Sequence, residues 1–135
     1  MRKTEERFRF LIEAMPGGAL LQDYEGRILM ANRETERIFR ISVKKMQARR
    51  MEELQWSAVH EDGSPLPLDE YPFQLALLSG KPVKDIFMGL LQDHDKGCLL
   101  LISALPRFKA GRTEVFQVVS IFIEISAPRQ VMKSV

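Results

Sequence analysis

The segment "VFQVVSIFIEI", Val115 to Ile125, is apolar on both faces of an extended strand. Phe116, Val118, Ser120 and Phe122 fall on one side, and Val115, Val119, Ile121 and Ile123 on the other. A strand of this kind cannot present either face to water, so its sheet must be covered on both sides. The chain has 135 residues and 45% hydrophobic content, enough for one core and too little for two. Both covers must therefore come from one domain or from a partner subunit.

Two more strand-like runs precede it, "VKDIFMGLLQ" and "CLLLISALP", separated by "DHDKG", and "RFKAGR" leads into the last strand. Upstream, Phe8, Leu11, Ile12 and Met15 follow the spacing of one helix face, with Thr4 as the expected N-cap and "PGG" at 16–18 as the stop. "ALLQDYEGRILMAN" reads as a hairpin about a turn at Tyr24 to Gly26. Asn32 then caps a helix through Arg40 that buries Ile38 and Phe39, and "VKKMQ" forms a further short helical piece. Arg49 to Trp56 carries little pattern, and "EDG" at 61–63 signals a turn. The order predicts an α+β domain with a five-stranded antiparallel sheet. The middle helices cover one face, and the first helix or a partner subunit covers the other.

Between the hairpin region and the three long strands lies "HEDGSPLPLDEYPFQLALLSGKPV". Pro65, Pro67 and Pro72 restrict φ and fix how the chain enters a helix over Asp69 to Ser79, which Gly80 ends.

Charge and composition exclude several functions. The net charge is +2, so no strong field favours nucleic acid or an anionic membrane. Lys44, Lys45, Arg49 and Arg50 gather locally, but no aromatic residues interleave with them, and they read as a solvated helix face. Cys98 is the single cysteine, which excludes an internal disulfide and fits a reducing compartment, so a cytoplasmic location is expected. No apolar run reaches the roughly 20 residues of a membrane span. No phosphate loop, nucleophile elbow or paired-carboxylate phrase is present, so catalysis is not expected.

The element order and several phrases together resemble a PAS domain, the sensory module of bacterial signal-transduction proteins. "RFRFLIEAMPGGALLQDYEGRILMAN" resembles the family's opening helix and first hairpin, with Asp23, Gly26 and Asn32 at characteristic places. "DGSPLPLDEYPFQLALLSGKPV" is similar to the family's passage into its pocket helix, and "SALP" and "EIS" resemble closings of its last two strands. The resemblance implies a flanking helix over 1–15, a PAS domain over 16–126 and a linker over 127–135 leading to an output domain. Arg40 and Ala48 depart from it, standing where the family carries glycines, which implies a shorter or differently turned loop.

The resemblance also implies a function: a dimeric module that passes a conformational bias to a histidine kinase, diguanylate cyclase or transcription-regulator output, without binding nucleic acid itself. Glu124, Ile125 and Ser126 occupy the family's signal-transfer positions, and Phe8 and Leu11 are available for the dimer contact. Counting inward by twos from Glu124 and Pro106 assigns Val118, Ser120, Phe122, Leu100 and Ile102 to a pocket, with Met88 and Leu90 as their partners and Phe73 and Leu77 from the helix. Such a lining suits a small apolar ligand or packed side chains alone. The alternative is therefore a ligand-free dimerisation module with the same fold.

Flavin and haem are the least expected cofactors. Light-sensing relatives need a cysteine where this chain has Met51, whose thioether cannot form the flavin adduct. Haem-binding relatives supply a histidine from the pocket helix, which here has none. His60 sits at a turn, and His94, flanked by Asp93 and Asp95, sits in an expected hairpin tip, so no metal site is predicted. Cys98 is expected to be a small core or edge residue.

Overall fold

The computed structural model describes residues 2–54, 56–92 and 96–125. Helix α1 (Arg2–Ala14) leads into strands β1 (Gly18–Asp23) and β2 (Ile28–Ala31). Short helices α2 (Arg33–Phe39) and α3 (Val43–Met46), a 3-10 turn at Met51–Glu53 and strand β3 (Ser57–Val59) follow. A second 3-10 turn, Leu68–Glu70, precedes α4 (Pro72–Ser79) and the long strands β4 (Val83–Gln92), β5 (Lys96–Phe108) and β6 (Val115–Ile125). The strands form one antiparallel sheet in the order β2-β1-β6-β5-β4-β3.

The two-faced strand β6 lies inside the sheet between β1 and β5, as its composition requires. On its inner face Val118, Ser120 and Phe122 are buried, in register with Pro106, Ala104 and Ile102 of β5. The larger core cluster joins this face to Ile38 and Phe39 of α2, Met46 of α3 and Leu54. On the outer face Ile12 of α1 packs with Ala19, Leu21 and Met30, flanked by Phe8, Met15, Val119 and Ile121. α1 covers only the β1–β2 side, and Ile123 and Phe87 stay exposed farther along the outer face.

Several expectations require correction. The sheet has six strands, not five: Ser57–Val59 pairs with the edge of β4, and three residues are too few to display an alternation. α1 begins at Arg2, so Thr4 lies within the helix and does not cap it. The lead-in from Leu68 to Glu70 is a 3-10 turn, and the α-helix starts at Pro72, whose missing N–H suits the first helical position. β5 continues past Pro106 to Phe108, which is allowed because β4 pairs only as far as Ala104 and leaves that end of β5 with a free edge. A register shift at Arg107 and Phe108 leaves Phe116 unpaired. It turns Val115 toward Ala104 and Val118 on the inner side and Phe116 toward Arg107, which also lies over Phe8, reversing the faces expected for these two residues.

Arg40 and Ala48 both take left-handed backbone, with φ of 58° and 68°, the region that favours glycine. The Ala48 N–H donates to Ile28 O at 2.8 Å, and the Ile28 N–H donates to Arg49 O at 2.8 Å. These bonds hold the strained residue in place.

Candidate functional site

α4 stands against the inner face of the sheet, entered through Pro72 and ended by Gly80 in the left-handed region at φ 68°. Between the start of the helix and strands β1, β4, β5 and β6 is a cavity of about 30 Å³. That is about one water's share of liquid volume, so side chains nearly fill the space. Of the residues assigned to a pocket from the sequence, Phe73, Met88, Leu100, Ile102, Ser120 and Phe122 line it. Leu77 and Val118 belong to an adjacent packed layer with Ala76 and Ala104. Leu90 is buried in the main core.

The lining also includes Leu20, Gln22, Phe39, Met51 and Tyr71, which sequence reasoning did not assign. Gln22 alternates with Leu21 along β1 and faces inward beside Leu20; that alternation was the available signal, masked by its polarity. It is buried, and its Nε2 donates to Gly26 O at 2.9 Å. Met51 presents a thioether to the same space.

Outside the cavity lies a recess of about 70 Å³ whose rim includes Glu25, Arg50 and Glu52. Gln22, Met51, Tyr71 and Phe73 line both spaces and so form the partition between them. Burial, then the charge of Glu52, raises the Tyr71 phenol above its ordinary value, keeping it a neutral donor. Gln22, Ser120 and the neutral Tyr71 phenol are the polar side chains of an otherwise apolar lining, which disfavours a charged occupant.

Phe122 connects the cavity to the end of β6. Its ring stacks on Phe39 with centroids 5.6 Å apart, and it fills the space left by the missing side chain of Gly18. Two residues on, the Glu124 carboxylate accepts a hydrogen bond from Arg37 Nη2 at 2.9 Å. Arg37 Nε also donates to Glu34 at 3.0 Å. The hydrogen bond from Arg37 is the main cause holding Glu34 below the usual carboxylate range. The last turn of the sheet is thus tied to α2. Ile125 ends β6. Ser126, the rest of the linker, and Asp93, His94 and Asp95 lie outside the described residues.

A second junction joins α1 to the sheet. Asn32 Nδ2 donates to Ile12 O at 2.7 Å and to Gly17 O at 2.9 Å, while its Oδ1 accepts from Ala19 N at 3.0 Å and from the Thr35 hydroxyl at 2.7 Å. Of the residues assigned to a dimer contact, Leu11 is 60% exposed, whereas Phe8 is half-buried against its own sheet beneath Arg107. Phe10, 72% exposed, stands beside Leu11 on the free side of α1.

Cys98 is buried, and its thiol is pushed up to about 11 by burial and by Glu124. His60 is 3.6 Å from Glu70 at the surface. No group of histidine, cysteine and carboxylate side chains fit to hold a metal occurs among the described residues. Among those residues no helix is long and apolar enough to cross a membrane.

This architecture is the α+β PAS fold. Residues 6–71 match the PAS domain family, and the solved structures similar to the chain include PAS domains. The PAS domain of BvgS from Bordetella pertussis is similar at 16% identity and a TM-score of 0.62, over 97% of this chain and 93% of that one. The Rhodobacter sphaeroides LOV protein is similar at 15% identity and a TM-score of 0.71, over 94% and 70%. The PAS domain of nitrogen regulation protein NR(II) from Vibrio parahaemolyticus gives 18% identity and a TM-score of 0.62, over 87% and 96%. No curated protein sequence matches the chain. PAS domains are typically sensory and signal-transduction modules and commonly pair with kinase or regulator output domains.

Proposed function

We propose that this chain is a non-catalytic PAS sensory or regulatory domain that works as a homodimer. It passes a conformational bias through β6 to a kinase, cyclase or transcription-regulator output joined beyond residue 126. The observation that carries this reading is Phe122, which lines the cavity and lies two residues before Glu124, the residue tied to α2 by Arg37. An occupant that displaces Phe122 would disturb that tie, and a change in the tie would in turn repack the cavity. The ligand is a small neutral apolar molecule with one hydrogen-bonding group for Gln22 or Ser120. It enters from the recess by displacement of Met51 and Tyr71.

The small volume of the cavity favours a second reading, a ligand-free module whose two states differ only in packing. Native mass spectrometry of protein purified without added ligand, with a visible absorption spectrum, separates them. A stoichiometric non-covalent mass on a colourless dimer supports the ligand sensor, and a bare dimer supports the second reading. A coloured protein or a strict monomer overturns both.

The proposed dimer face is the outer sheet. Phe10 and Leu11 on α1 are exposed, and a groove of about 300 Å³ runs past Met15, Leu101, Ile121 and Ile123, the last 60% exposed. A second copy's α1 matches that groove in chemistry and would supply the cover that the two-faced strand requires.

A further inference from the structure

A separate groove of about 510 Å³ runs along α3 and the 3-10 turn at Met51–Glu53, bordered by Arg40, Lys45 and Arg49. It shares no lining residue with the cavity behind α4 or its outer recess. Its size falls in the range of binding clefts, ~300–1,000 Å³. Half-buried Ile41 and buried Leu54 give it an apolar floor.

The charges on its walls are unbalanced. Glu53 is the single acid of the lining, and its carboxylate is already engaged by Arg50, accepting from the backbone N–H at 2.9 Å with Nη1 at 3.8 Å. Arg37, on the preceding helix, is likewise committed to Glu34 and Glu124. Arg40, Lys45 and Arg49 form no ion pair among the described residues, and exposed Lys44 adds a further positive charge on α3. A net charge of +2 spread over the chain would not produce this concentration.

We infer that this groove docks an acidic, amphipathic protein segment, with carboxylates against Arg40, Lys45 and Arg49 and apolar side chains on Ile41 and Leu54. The apolar floor is wasted on a bare anion. A continuous polyanion such as RNA finds no aromatic residue in the lining to stack on and meets Glu52 and Glu53 on the adjoining turn. An alternation of acidic and apolar side chains satisfies walls and floor together.

The test is fluorescence anisotropy of a labelled peptide alternating glutamate and leucine. Binding is expected to weaken with salt, and to weaken about tenfold or more in a Lys45→Glu, Arg49→Glu double variant. Lys81→Glu, a reversal of an exposed lysine outside the groove, is expected to leave it unchanged. A peptide alternating lysine and leucine should bind the double variant better than the original protein, which separates charge matching from loss of folding. The proposal is overturned if the acidic peptide fails to bind, if its affinity is indifferent to the reversal, or if a glutamate–serine peptide binds equally well. It is also overturned if single-stranded RNA competes for the groove with higher affinity than the peptide.

Discussion

Ala48 holds left-handed backbone with a Cβ that makes this conformation costly, and its hydrogen-bond partners on β2 give it no freedom to relax. Ala48→Gly is expected to raise stability by about 0.5–1 kcal/mol in urea denaturation, with Ala48→Val lowering it. Cys98 gives a pH-dependent prediction. Its folded thiol titrates near 11 against an ordinary value of 9.0, so the unfolded chain ionises first. The contribution is complete below about 9 and is lost as pH rises toward about 11. A Cys98→Ala variant should lack that part of the alkaline decline, and iodoacetamide should leave the native thiol unmodified at neutral pH. At this scale the sequence was readable where a residue's environment follows from strand alternation, as for Val118, Ser120 and Phe122. It was not readable from periodicity for Met51, which reaches the cavity from the three-residue 3-10 turn Met51–Glu53.

Among the elements, the link between α1 and β1 has more work to do than ending a helix. A Cβ at Gly17 would meet the Phe122 carbonyl oxygen at 2.6 Å, and one at Gly18 would collide with the Phe122 ring. "PGG" thus both ends α1 and lets β1 approach β6. Gly18→Ala is expected to destabilise the domain by at least about 2 kcal/mol. Pairing it with Phe122→Leu should recover part of the loss, which thermal denaturation of both variants would measure. The long strands and α4 were legible because their patterns persist over many residues or are bracketed by proline and glycine. The bulge at Phe116 and the pairing of β3 were not, because each depends on a partner strand distant in sequence.

For the molecule as a whole, the apolar character of both faces of β6 was legible, but how far each face is covered depended on tertiary packing: the inner face is buried, and the outer face is covered only in part. α1 shields β1 and β2, and the exposed remainder of the outer face is where a second copy is proposed to sit. Leu11→Glu combined with Ile123→Glu is expected to convert a dimer to a monomer in sedimentation equilibrium, with helix and strand content retained by circular dichroism. Loss of fold would mean that these residues serve the protomer itself, and an intact dimer would place the interface elsewhere. The Asn32 junction bears on where such a protein can be divided. Its amide donates to Ile12 on one side of the 15/16 boundary implied by family resemblance and to Gly17 on the other. A fragment starting at Pro16 would lose one acceptor of a buried amide and strip the cover from Ala19, Leu21 and Met30. The first helix is therefore expected to stabilise the sheet it covers: a fragment starting at Pro16 should unfold at a lower urea concentration than the whole chain, and equal midpoints would show that the helix is dispensable for folding.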